Sequence, residues 1–154
     1  MAYENILTVG HQDGLQSLRL TKGGYCCEDN RLAISIETEN TNDDGWPPVA
    51  LFCIYNHPLD RDPCAGDVFE CNGGMFAEDA DDADVTHAAA YFTFHAEEVY
   101  VQFTVIEVRQ DTLVVDFRAK HDDTAYYDAQ AKECPTSGTF VLSRQPLKNL
   151  WIPL

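Results

Sequence analysis

The residues able to do chemistry in this chain are six cysteines, five histidines and a surplus of carboxylates, and their spacing decides what they can do. Cys53, His57, Cys64 and Cys71 form a series of zinc-ligand types, since zinc takes four nitrogen or sulfur donors in a tetrahedron. No Cys-x-x-Cys pair is present to pin a metal, so free thiols are the expected state for these and for Cys26, Cys27 and Cys134. Cys53 reads as a small hydrophobe buried in a strand. His87, His95 and His121 flank alternating apolar runs and could share one end of a sheet with Glu97, Asp122 or Asp123 as a general acid and base set. The chain holds no Gly-x-Ser-x-Gly elbow, phosphate-cradling glycine loop or His-Glu-x-x-His, so the expectation is a protein that is not an enzyme and needs no cofactor.

Oxygen ligands for calcium are the remaining metal chemistry. Asn40-x-Asn42-x-Asp44-Gly45 opens like an EF-hand loop, but its first ligand is Asn and its twelfth position is Leu51. The run Glu78, Asp79, Asp81, Asp82 and Asp84 lacks ligand spacing and reads as a solvated acidic loop. Trp46, between Gly45 and Pro47, is a large aromatic at a loop tip that a binding face can use, whereas Trp151 is expected to anchor the tail.

The elements that must position these residues are strands. In Val99, Val101, Phe103 and Val105 apolar residues fall on alternate positions, with Tyr100, Gln102 and Thr104 between them, the period of a half-buried strand. The phase then slips, which predicts a β-bulge near Ile106. Leu113, Val115 and Phe117 resume alternation after the polar stretch 109–112, so the two segments read as an antiparallel hairpin. Ala88, Ala90, Phe92 and Phe94 predict a strand before it and complete an expected three-strand meander.

Elsewhere, Leu7, Val9, Leu18 and Leu20 suggest an opening hairpin, and Thr21 to Asn30 reads as a loop because of Gly23-Gly24. Leu32, Ile34 and Ile36 mark another strand. From Val49 to Tyr55 both alternating sets are apolar, so this strand requires cover outside as well as inside, from a loop, a terminal segment or another subunit. Asp67 to Cys71 predicts a short strand, Asp122 to Lys132 a short helix ended by Cys134 to Gly138, and Thr139 to Ser143 a last strand, with the tail Leu147 to Leu154 docked on the sheet. The fold class expected is all-β: an antiparallel β-sandwich, or a flattened barrel, of about eight strands with a long acidic loop and at most one short helix. A length of 154 residues with no internal linker points to a single domain, 1–154.

Formal net charge is −16, from 26 acidic and 10 basic residues, and a field of that sign repels phosphate backbones and anionic membrane surfaces. Direct binding to nucleic acid or membrane is therefore not expected. No basic region followed by an apolar stretch opens the chain and no apolar run approaches a membrane span, so the expected location is the cytoplasm. The charge then has two readings: solubility, as in a salty cytoplasm, or recognition of a basic partner. The functional expectation is a non-catalytic acidic binding protein, of the inhibitor or immunity type by analogy of profile, occupying a basic surface on a partner protein. Asp79, Asp81, Asp82 and Asp84 would supply the charge, Met75 and Phe76 the apolar anchors, and Trp46 a further contact. The alternative is a ligand-binding β-sandwich holding a divalent cation or a glycan at Asn40 to Trp46 and Glu78 to Asp84.

Overall fold

The computed structural model describes residues 3, 5–11, 14–38, 51–73, 86–91, 99–121 and 134–152. Nine strands form one sheet: β1 (Ile6–His11), β2 (Gly14–Glu28), β3 (Arg31–Thr38), β4 (Leu51–Pro58), β5 (Val68–Gly73), β6 (His87–Tyr91), β7 (Val99–Arg109), β8 (Thr112–His121) and β9 (Cys134–Arg144). A single 3-10 turn, Leu147–Asn149, is the only helical element among the described residues.

The strand order is β5-β7-β8-β9-β1-β2-β3-β4-β6, and every pair of neighbours in it is antiparallel. The sheet curls until its edges β5 and β6 approach, and the Cys71 thiol donates to the carbonyl oxygen of Thr86 across that seam at 3.2 Å. The result is an all-β sheet nearly closed into a barrel, the second of the two architectures expected from the sequence. With an odd number of strands, β5 and β6 must run in the same direction, so side-chain contacts close the seam in place of an antiparallel ladder.

Alternation fills the interior. Val99, Val101, Phe103 and Val105 of β7 and Leu113, Val115, Phe117 and Ala119 of β8 point inward and are buried. Phe117 is the hub: its ring lies 5.1 Å from that of Phe52, 4.8 Å from Phe103 and 6.2 Å from Phe140. The bulge expected near Ile106 is present as a register shift between Val105 and Glu107, and the β7–β8 hairpin turns through Gln110, whose φ is 31°. Outward positions such as Tyr100, Gln102, Arg118 and Lys120 are polar, the reverse of a barrel that faces lipid. Among the described residues no helix is long and apolar enough to cross a membrane.

The doubly apolar strand β4 receives its outer cover from the chain's own C-terminal segment. Leu150 packs with Cys26 and Ala33, with Tyr55 and Ile152 alongside, and the Trp151 amide donates to Ser35 Oγ at 3.2 Å. Asn5, at φ 55°, accepts the Val141 amide on its side chain and the Leu20 amide on its carbonyl, tying the N-terminal segment across β9 and β2.

Three expectations are corrected. The stretch 21–28 is the second half of β2, not a loop, and a tight type I′-like turn at Asp29 and Asn30, both at positive φ, follows it. Gly23 and Gly24 serve close packing there: a Cβ would lie 2.7 Å from Leu142 Cδ2 at Gly23 and 2.8 Å from Leu150 Cδ2 at Gly24. Second, β6 pairs with β4, and the free edge of β7 is taken by β5, so the expected meander does not form. Alternation identifies strands without naming partners, and the small inward residues Ala88 and Ala90 fit beside the bulky Phe52 and Ile54 of β4. Third, the last strand begins at Cys134 and not at Thr139, so Cys134 to Gly138 belongs to β9. Pro135 is tolerated because the ladder with β1 reaches only to Thr136. The helix expected over 122–132 lies outside the described residues.

Candidate functional site

The barrel has two chemically different ends. At the end where β7 begins and β8 finishes, termed the upper end, β9 also begins, β1 finishes, β2 begins, β3 finishes, β4 begins and β6 finishes, as the antiparallel order requires. Segments 12–13, 39–50, 92–98 and 122–133 therefore leave and re-enter the sheet at this one end. They hold ten acidic residues and one basic residue, Lys132. A fifth segment, 74–86, leaves from Gly73 at the same end and enters β6 at His87, that strand's opposite end, with five more acidic residues and no basic one. The four segments that both leave and re-enter at this end carry a net −9, more than half of the chain's −16, and the fifth, which starts there and ends at the far end of β6, adds −5.

The lower end is balanced by ion pairs. Arg61 grips Asp67 with both forks, Nη1 to Oδ2 at 2.7 Å and Nη2 to Oδ1 at 3.0 Å, and Asp67 Oδ2 also accepts the Cys64 amide at 2.8 Å. Arg144 donates to Asp62 Oδ1 at 3.0 Å, stands 3.5 Å from Asp111 Oδ1, and lays its guanidinium over the buried Tyr25 ring at 5.2 Å. Hydrogen bonding from Arg61 holds the Asp67 carboxyl below its ordinary value, opposed by partial burial and helped by the Cys64 amide. A depressed folded-state value means the stabilisation is complete above the unfolded carboxyl range and is lost as pH falls through the folded value. Asp67→Ala is expected to cost about 1 kcal/mol at neutral pH, the scale of a hydrogen-bonded charge at a partly exposed site, with a difference from wild type that shrinks below about pH 4. Urea melts at pH 7 and pH 3 check this, and an equal difference at both would refute the linkage.

Among the described residues the structure brings together neither the metal-ligand series nor the two histidines of the acid–base set that it describes, His87 and His121. Cys53 is fully buried on the outward face of β4, and burial pushes its thiol far above the ordinary range. Cys71 faces inward on β5, His57 stacks edge-on against Phe69 with ring centroids 5.0 Å apart, and Cys64 is exposed on the loop beside Arg61. Among the described residues no three metal-ligating side chains cluster, and all six cysteines are free. His87 stacks on Tyr55 at the outer surface of the β4–β6 pair, while His121 points into the barrel, where its Nε2 lies 2.6 Å from Thr136 Oγ1. The two histidines thus occupy opposite faces of the sheet; His95, Glu97, Asp122 and Asp123 lie outside the described residues.

The residues expected to contact a partner, Asp79, Asp81, Asp82, Asp84, Met75, Phe76 and Trp46, also lie outside the described residues, as does Asn40 to Gly45. Glu70 lies in β5, within the short strand expected over 67–71, and sits on the outer face of the sheet. There it forms a polar cluster that reading the sequence missed. Tyr100 Oη donates to Glu70 Oε2, and Gln102 Nε2 lies 3.2 Å from that oxygen and 3.1 Å from Tyr100 Oη. These bonds draw the Glu70 carboxyl down and push the Tyr100 phenol up. The available signal was the outward set of β7 and β8, which combines Tyr100 and Gln102 with Arg118 and Lys120 in an otherwise acidic chain. Scans against protein-family models, curated proteins and solved structures found nothing that matches this chain.

Proposed function

We propose that this is a non-catalytic binding protein, of the inhibitor or immunity type, that presents its acidic upper end to a basic surface on a partner protein. What supports the reading is the sorting of charge: a net −9 falls in the four segments that both leave and re-enter at one end, while Arg61 and Arg144 neutralise their acidic neighbours at the other. Charge spread for solubility has no reason to be sorted in this way. Charge gathered at one end of a rigid sheet steers encounter and fixes register on a complementary patch. Met75 and Phe76, adjoining the acidic run, are the apolar side chains that would supply affinity beyond steering.

The test is affinity capture from lysate of the cells that make the protein, at low and high salt, with two variants in parallel. One carries Asn at Asp79, Asp81, Asp82 and Asp84; the other carries Gln at Glu28 and Asn at Asp29 and Asp60, exposed positions at the lower end. A basic protein retained by wild type and by the lower-end variant, lost with the Asp79, Asp81, Asp82 and Asp84 variant and weakened by salt is the expected result. A partner indifferent to the four aspartates, or no protein enriched at low salt, would remove the reading.

A further inference from the structure

A different feature, independent of that reading, lies on the outside of the barrel. The outer face of β7, β8 and β9 is concave and forms an open cleft of about 520 Å3, lined by the side chains of Tyr100, Gln102, Asp116, Arg118, Lys120 and Ser137. That volume falls within the roughly 300–1,000 Å3 of small-molecule sites and is far more than a lone ion fills. Register places the groups in rows: Gln102, Arg118 and Ser137 stand side by side, and Tyr100, Lys120 and Pro135 form the next row.

Each row limits what can bind. Arg118 and Lys120 are two apart on one strand, so their side chains leave the same face about 7 Å apart. Arg118 is 73% exposed and, among the described residues, pairs with Asp116 at 3.5 Å, while Lys120 makes no ion pair among them. Both are placed to meet an anion, Arg118 in competition with Asp116. Tyr100 and Gln102 are held in place by Glu70, so the neutral side of the cleft is organised before any ligand arrives. The Tyr100 ring, Pro135 and the carbon stems of Arg118 and Lys120 supply apolar surface beside the polar groups, in a cleft that is open to solvent. A fitting ligand combines hydroxyls with C–H faces and carries at least one negative charge.

We propose that this cleft binds a uronic-acid saccharide, with a carboxylate between Arg118 and Lys120 and hydroxyls on Gln102, Asp116 and Ser137. The protein's own −16 opposes the approach of an anion, but at physiological salt a charge is screened beyond about 8 Å, so the charges that act inside the cleft are Arg118 and Lys120 against Asp116 and Glu70, and a carboxylate gains where it sits nearer the two cations. Affinity must consequently fall as salt rises.

The experiment is an amide-detected NMR titration of the 15N-labelled protein with trigalacturonate, with maltotriose as the neutral counterpart and with inorganic phosphate. The expected result is a saturable shift of the Tyr100, Gln102, Arg118 and Ser137 amides with trigalacturonate that neither control reproduces. Arg118→Gln with Lys120→Gln should weaken it at least about tenfold, equivalent to about 1.4 kcal/mol, while Lys148→Gln at the other end leaves it unchanged. Lys120→Gln alone, at an exposed position, should weaken it by a smaller factor and covers the case of a double variant that loses its dispersed spectrum. No shift with trigalacturonate, equal shifts with maltotriose or phosphate, or a folded variant that binds as wild type does would each overturn the proposal.

Discussion

Replacing Phe117 with Ala is expected to cost about 3–5 kcal/mol, the range for removing a fully buried aromatic ring whose cavity cannot collapse. Phe117 is wholly inaccessible and its ring meets Phe52, Phe103 and Phe140, which come from β4, β7 and β9. Collapse is blocked because those rings hang from strands fixed in one hydrogen-bonded sheet, so moving one toward the void pulls a ladder with it. Against a typical total of about 5–15 kcal/mol the loss is a large fraction of stability. Urea unfolding followed by tryptophan fluorescence and circular dichroism measures it; a change below about 1 kcal/mol would mean the interior is looser than its burial indicates.

Gly138→Ala should be the second most damaging of the substitutions considered, at about 2 kcal/mol, although it adds one methyl group. The new Cβ would lie 2.5 Å from Phe140 Cζ and 2.7 Å from the Ile6 carbonyl oxygen. A ring can tilt, but a backbone carbonyl moves only with its strand. β1 must therefore shift away from β9, where Leu7 stands opposite Gly138. Gly23→Ala is the comparison, since its closest neighbours, Leu142 Cδ2 and Leu20 Cδ2, are the ends of flexible side chains, and it should cost less. Thermal melts that rank Gly23→Ala as the worse of the two would reject this account of the β1–β9 contact.

The strands that alternate cleanly were legible because a period of two has one physical cause, burial of one face. The phase slip after Val105 identified the bulge for the same reason. Partners were not legible: nothing local to 88–91 distinguishes pairing with β4 from pairing with β7, and the choice is made by what each edge can pack. Gly23-Gly24 misled because glycine permits turns and close approach alike, and only the positions of Leu142 and Leu150 separate the two uses. The candidate sites divide in the same way. The sequence shows how much acid there is, but the sorting to one end depends on the antiparallel order of nine strands. The outer cleft is harder still to read, because its rows combine residues more than thirty positions apart, such as Gln102 and Ser137.

Four acidic segments anchored at one end make the molecule an electric dipole as well as an anion. In the field of a positively charged surface a monopole is only attracted, whereas a dipole is also turned. The protein should therefore arrive already oriented, upper end first, so that fewer encounters are wasted on unproductive angles before any short-range contact forms. The ion-paired lower end, carrying Arg61 and Arg144, would trail away from the surface and stay open to solvent.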